Sequence, residues 1–305
     1  MQRDSNPSGL CLGLAPPLRT IRLAKSRRTR RKTVNPSRKG LVFLCLAASL
    51  ARADQFPLWE AGVGIGATTL PHYRGSDQSR TWVLPVPYLV YRGESLKLDD
   101  RRFRGVLGDK VELEFSLSGS PPAKDNNARR GMPDLDATLE LGPSLNIALF
   151  RPENGMDKLE LRLPVRTVFS SDFSHVKQAG WIFQPNLSLD IKNALGNRGW
   201  NLGLQSSLIY TDRRYNRYFY AVDPVFRMAD RPPFSPSGGY GGLNLLAALS
   251  KRFPDFWVGA FAKWDSVGGA VFADSPLIKA RSNLSGGFAI AWILGASTFK
   301  VDAEN

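Results

Sequence analysis

The chain has 305 residues, 43% hydrophobic and 22% charged, and a formal charge of +14. That charge does not make a nucleic-acid-binding body, because residues 1–53 hold twelve Lys/Arg against one acid while the other 252 residues carry a net of only +3. Both cysteines, Cys11 and Cys45, fall in the same leading stretch, which leaves the rest without a disulfide framework.

The leading stretch has the parts of a secretory signal. Arg38 and Lys39 precede an apolar run, Leu41 to Leu50, that ends in Ala51-Arg52-Ala53, an A-x-A site. The expected division is therefore a basic leader, 1–53, cleaved after Ala53, and a body, 54–305. The run is too short for a membrane helix, which needs about 20 apolar residues. Cys45 follows Leu44 inside the run rather than a small residue at its end, which argues against a lipid-anchored cysteine. The first 35 or so residues exceed an ordinary charged region, so a start codon upstream of the true one is expected.

The body opens on a hairpin, Pro57 to Gly93. Trp59, Ala61, Val63, Ile65 and Ala67 alternate there with Glu60, Gly62, Gly64, Gly66 and Thr68. Successive side chains of a strand point to opposite faces, so one face is apolar and the other small or polar. Thr81 to Tyr91 follows, with the length of a tilted bilayer-spanning strand, about ten residues. Val111 to Ser118 repeats the pattern sharply, with Glu112 and Glu114 on the polar face. Ala137 to Leu149, Leu159 to Phe169, Trp181 to Lys192 and Trp200 to Thr211 continue it. Gly241 to Lys251, Phe256 to Trp264 and Leu284 to Leu294 close the chain. Charges of both signs on the inner face, such as Glu160, Arg162 and Arg166, suit a polar lumen and are costly toward lipid.

Connection lengths sort the two ends. The short turns (92–95, 151–157, 193–199, 254–255) fall on one side and the longer connections (70–80, 121–136, 171–179, 212–239, 268–282) on the other. Outer-membrane barrels show this asymmetry and an even strand count. The expected fold is all-β, a transmembrane antiparallel barrel of about ten strands. Twelve is the alternative, if 96–120 splits at Leu107–Lys110 and a further strand lies in Tyr218 to Val222. Trp59, Trp181, Trp200, Trp257 and Trp264 sit near predicted strand ends, where aromatic rings anchor at the headgroup level. A soluble β-sandwich shares the periodicity but does not explain why so many strands lack a second apolar layer.

No motif commits the chain to chemistry. Gly62-Val63-Gly64-Ile65-Gly66-Ala67 matches G-x-G-x-x-A, but that fingerprint needs a strand-to-helix turn, and Pro71 blocks the helix. The glycines are expected to relieve crowding in a narrow barrel. His72 and His175 lie in predicted loops, without the ligand cluster a metal site requires. Ser174 and His175 beside Asp172 would suit a hydrolase only if geometry made them a triad. Asp134 with Asp136, and Glu112 with Glu114, read as lumen polarity rather than acid/base pairs. Arg129, Arg130, Arg213, Arg214 and Arg217 fall in outer loops, where they either pair with lipopolysaccharide phosphates or stand as solvated charge. No catalytic, metal or cofactor residue is assigned, no cofactor is implied, and the chain is expected not to be an enzyme.

Several segments carry a family resemblance: GVGIGATTLPHYRGSDQSRTWVLPVPYLVYRG, VELEFSLSGSPPAKDNNARRGMPDLDATLELGPSLNIAL, YFYAVDP, SGGYGG and GAVFADSPLI. Together they resemble the MipA/OmpV family of Gram-negative outer-membrane proteins, in order and over nearly the whole body. The resemblance implies an outer-membrane barrel. For the branch of MltA-interacting proteins it also implies a scaffold joining a lytic transglycosylase to a bifunctional murein synthase. No catalytic residues belong to that role. The basic leader and the end GASTFKVDAEN, which lacks a terminal aromatic residue, depart from the pattern, with Phe299 standing nearest to that role. The other functions considered are a channel or adhesin, and an outer-membrane hydrolase. The expected partners are outer-membrane lipids, lipopolysaccharide and the two murein enzymes, with no nucleic acid.

Overall fold

A computed structural model describes residues 55–302, apart from 93–96, 100–101, 107–109, 153–156, 173 and 197–198. The leader and its cleavage site after Ala53 lie outside the described residues. Fifteen strands follow in order: β1 (Gln55–Pro57), β2 (Trp59–Pro71), β3 (Ser79–Arg92), β4 (Lys97–Asp99), β5 (Arg102–Val106), β6 (Val111–Ser120), β7 (Ala137–Phe150), β8 (Asp157–Ser171), β9 (Val176–Phe183), β10 (Asn186–Ile191), β11 (Trp200–Thr211), β12 (Gly239–Arg252), β13 (Phe256–Ser266), β14 (Ser282–Ala296) and β15 (Lys300–Asp302). One α-helix, α1 (Arg213–Tyr220), interrupts them.

β2 to β14 form one antiparallel sheet that closes where β14 pairs with β2. β9 and β10 are two parts of one wall strand broken at Gln184-Pro185, since β8 and β11 each pair with both. Counted so, twelve strands surround the lumen, ten long and two short. The two short ones, β4 and β5, form a hairpin between β3 and β6 and so preserve the parity of the ten-strand reading. The twelfth strand is not hidden in Tyr218 to Val222: that stretch ends α1. Asp212 caps this helix by accepting from the Tyr215 N–H at 2.9 Å. Tyr215, Asn216, Phe219 and Tyr220 recur at helical spacing on its buried face.

The barrel is inside out relative to a soluble protein. Glu60 and Glu160 are 0% and 1% exposed on the inner face, while Phe288 and Leu294 on the outer face are 67% and 73% exposed. Leaving a Leu or Phe in water rather than burying it forgoes about 1.5–3 kcal/mol, so this outer wall belongs in hydrocarbon and the sandwich alternative fails. Trp59, Trp181, Trp264 and Trp292 are exposed on that wall. Trp257 is a correction: it points inward, over Gly259 and beside Tyr88, with ring centroids 6.3 Å apart.

The glycine row has a definite task. A Cβ on Gly62 would lie 2.0 Å from the Trp292 carbonyl oxygen, so β2 and β14 approach too closely for any side chain there. Gly142 does the same on β7, where a Cβ would meet the Val165 oxygen at 2.0 Å. These two seams lie on opposite sides of the twelve-strand circuit. At the foot of the β14–β2 seam, β1 pairs with β15, and the Leu58 N–H donates to the Phe299 oxygen at 2.9 Å.

Candidate functional site

Most short turns lie at one end of the barrel, here the turn end, and the long connections 72–78, 121–136, 212–238 and 267–281 lie at the other, the loop end. The loop end also holds the β8–β9 connection, four residues (172–175) rather than the expected 171–179 because β8 and β9 run on into it. The long connections do not wave in solvent. They pack into an apolar plug that sits in the mouth of the lumen. Wall residues Val168, Ile182 and Ile209 meet Tyr73, Tyr215, Phe219, Tyr220, Phe272 and Leu277 from the loops, all buried. Tyr220 stacks on Phe272 with centroids 3.8 Å apart. Gly180 lets α1 close on β9, since a Cβ there would lie 2.4 Å from the Tyr215 nitrogen.

Polar groups tie the plug together. The Tyr73 hydroxyl donates to the Leu277 oxygen at 2.7 Å and the Ser275 hydroxyl to the Tyr220 oxygen at 2.7 Å. Burial pushes the Tyr73 phenol up to about 12 and raises Tyr215 and Tyr220 as well, so all three stay neutral. Arg231 donates to the oxygens of Phe226 and Ala128, fixing the connection after α1.

Below the plug the lumen carries paired charges. Arg74 Nε bonds Asp265 at 3.1 Å, with Lys263 on the other carboxylate oxygen at 2.9 Å. Arg166 spans the middle, reaching Glu140 at 3.0 Å, Gln184 at 2.6 Å and Ser116 at 3.3 Å. Toward the turn end, Arg151, Glu112, Lys158, Glu160, Arg162 and Asp190 form one chain of ion pairs. Arg252 pairs with Glu60. Glu112 and Glu114 face inward, as the alternation requires.

The fold leaves the two histidines in separate loops. His175 is exposed, and its Nδ1 lies 3.7 Å from Asp172. Asp172 is occupied as a turn acceptor for the His175 and Ser174 N–H groups, at 2.7 and 2.9 Å, which hold its carboxyl below the usual range. His72 lies in a different loop, where the Asn126 amide meets its Nδ1 at 3.2 Å. The same Asn126 side chain accepts from the Ala128 N–H, so its nitrogen must be the donor and Nδ1 the acceptor. Burial lowers the pKa of His72, and nearby Arg80 adds to the effect. Asp134 accepts from the Asp125 N–H and Asp136 donates its N–H to Tyr218. Among the described residues no three His, Cys, Asp or Glu stand close enough to hold a metal.

Arg129 is a correction to the set of loop cations. It is buried and donates to the oxygens of Phe219 and Pro133, and burial lowers its pKa, so it holds the plug rather than facing a membrane phosphate. Arg130, Arg213, Arg214 and Arg217 are exposed; Arg214 bonds Gln178 and Arg217 pairs with Asp223. The plug itself is what the sequence reading passed over. Its signal is the aromatic density of YNRYFY and the apolar residues of GAVFADSPLI, unusual for exposed loops.

The sequence profile of the family described as MltA-interacting protein MipA matches residues 63–294. Among solved structures, the NanC porin is similar over 77% of this chain and 100% of its own, at 9% identity and a TM-score of 0.37. The Ralstonia pickettii toluene transporter TbuX is similar over 80% of this chain and 71% of its own, at 8% identity and a TM-score of 0.25. No curated protein matches the chain by sequence.

Proposed function

The chain belongs to the MipA family of MltA-interacting proteins, and from that premise we propose that this outer-membrane barrel is a non-enzymatic scaffold. It holds a lytic transglycosylase at the membrane, and a bifunctional murein synthase with it, on its turn end. The family match is the observation that carries this reading. The geometry supports it: the loop end is filled by side chains of the barrel itself, so the turn end, where Lys192 and Asn193 are exposed, is the face left for an enzyme in the periplasm. A plugged mouth also disfavours an open channel. The leader fits an export signal, and a membrane product beginning at Asp54 would be expected on N-terminal sequencing. Arg130 and Arg213 are exposed loop-end cations suited to lipopolysaccharide phosphates.

A photo-crosslinking residue placed at Lys192 and, separately, at Arg214 tests the scaffold. The expected result is an adduct with a lytic transglycosylase from Lys192 and none from Arg214. Adducts from Arg214 alone, or no transglycosylase adduct from either site, would reject it.

A further inference from the structure

Four arginines stand together without a counter-charge where two of the plug's loops meet. Arg231 Nη1 donates to the Ala128 oxygen at 3.0 Å, which joins the connection 212–238 to the connection 121–136. Met228 continues the contact, its methyl group 3.8 Å from where a Cβ on Gly131 would lie. Arg129 and Arg130 flank that seam on one loop, Arg227 and Arg231 on the other. Arg129 and Arg231 are 7% and 4% exposed, whereas Arg130 and Arg227 are open to solvent.

None of the four has an ion pair among the described residues. The acids around them are engaged elsewhere: Asp223 pairs with Arg217 at 3.5 Å, and Asp134 accepts from the Asp125 N–H at 3.2 Å. Asp230, one residue before Arg231, is exposed and pairs with no guanidinium among the described residues. The two buried guanidinium groups donate only to backbone carbonyls, Arg129 to those of Phe219 and Pro133, Arg231 to those of Phe226 and Ala128. Arg129 Nε is buried and has no hydrogen-bond partner among the described residues. Carbonyls satisfy the donors but leave the net charge, and a buried charge is costly until an opposite one meets it. Lower in the lumen the chain follows that rule, with Arg162 on Glu160 and Arg166 on Glu140. At the loop end it does not: burial lowers the Arg129 pKa, and the charge of Arg231 adds to the effect.

A compensating charge has to come from outside the chain, and the two exposed arginines offer it a seat. Arg130 follows Arg129 directly, and Arg227 follows Phe226, whose carbonyl holds Arg231. Two guanidinium forks from separate loops suit a phosphate group, which carries up to two negative charges and accepts bidentate pairs from more than one side. We infer that this seam is a binding site for a phosphate group, gripped by Arg130 and Arg227 above the buried pair. Its charge offsets those of Arg129 and Arg231, and by bridging the two loops it holds the plug closed. On the outer face the phosphate belongs either to lipopolysaccharide or to a free anion, one chemistry from two sources. The inference rests in part on the reading of Arg130 given above and requires no murein enzyme.

The test uses the purified protein folded in dodecyl maltoside, free of lipopolysaccharide, at about 0.15 M salt. Inorganic phosphate is titrated by calorimetry, and proteinase K cleavage of the loops is timed with and without it. We expect saturable binding, with cleavage slowed about threefold or more. Arg130→Gln combined with Arg227→Gln should weaken binding about tenfold or more and remove the protection. Lys279→Gln, at an exposed cation on the connection 267–281, should change binding by less than about twofold. Heat-modifiable gel mobility confirms folding, and Arg227→Gln alone replaces the double variant if that fails. Protection by intact lipopolysaccharide but not by its dephosphorylated form would support the site and assign the phosphate to the membrane. Protection by inorganic phosphate alone would support the site with a free anion and reject the lipopolysaccharide reading of Arg130. No saturable binding, binding without protection, or an equal loss in Lys279→Gln would overturn the proposal.

Discussion

The two ends of this barrel are stabilised by different physics. The loop end is a small apolar core, with Tyr220 on Phe272 and Tyr73 bonded to Leu277, of the kind that forms a soluble protein's interior. The turn end has no such core among the described residues. There Glu112, Lys158, Glu160, Arg162 and Asp190 are held by mutual charge. The difference shows where each force is available. Hydrocarbon removes the incentive to bury apolar groups inside the wall, so apolar packing survives only where loops rise out of the bilayer, and the lumen between is held by ion pairs.

Breaking each end should separate the two. Tyr220→Ala removes the stacked ring from a fully buried position and should cost the plug about 3–5 kcal/mol. Protease added outside intact cells should then cut the loops, while heat-modifiable mobility of the barrel stays unchanged. Glu160→Gln keeps the volume but removes the charge that Lys158 and Arg162 share. It should cost about 1.5–3 kcal/mol, read as a lower urea midpoint in vesicles, with the loops as protease-resistant as before.

The smallest effect is a pH dependence confined to the loop end. His72 must be unprotonated to accept from Asn126, and its pKa is lowered in the folded loops from 6.5. The unfolded segment therefore takes up a proton first as pH falls. This contribution is complete above 6.5 and is lost on acidification toward the lower folded value. Loop cleavage should rise between pH 7 and 5, and His72→Gln should flatten that rise.

The wall was legible from the chain because its signal is local. A period of two, read over ten residues, places Glu112 and Glu114 inside and Leu113 and Leu117 outside without knowledge of any neighbour. Connection length marked most of the loop end, but the β8–β9 connection, 172–175, is shorter than the turn-end connection 192–199. What escaped depends on distant partners. Tyr73 meets Leu277 across 204 positions and Arg129 meets Phe219 across 90, so no window of sequence shows the plug. Helix α1 is eight residues of mostly aromatic and polar side chains, too short for its period to stand out from a strand. β4 and β5 are three and five residues long, below what alternation can register. Trp257 was placed by nearness to a strand end, whereas its parity with Asp265 on the same strand puts it inside.

Planar-bilayer conductance of the purified, folded barrel tests the plug most directly. A lumen stopped by Tyr220, Phe272 and Leu277 should pass no discrete current steps, and Tyr220→Ala should introduce them. Steady openings from the unaltered protein would contradict a closed loop end.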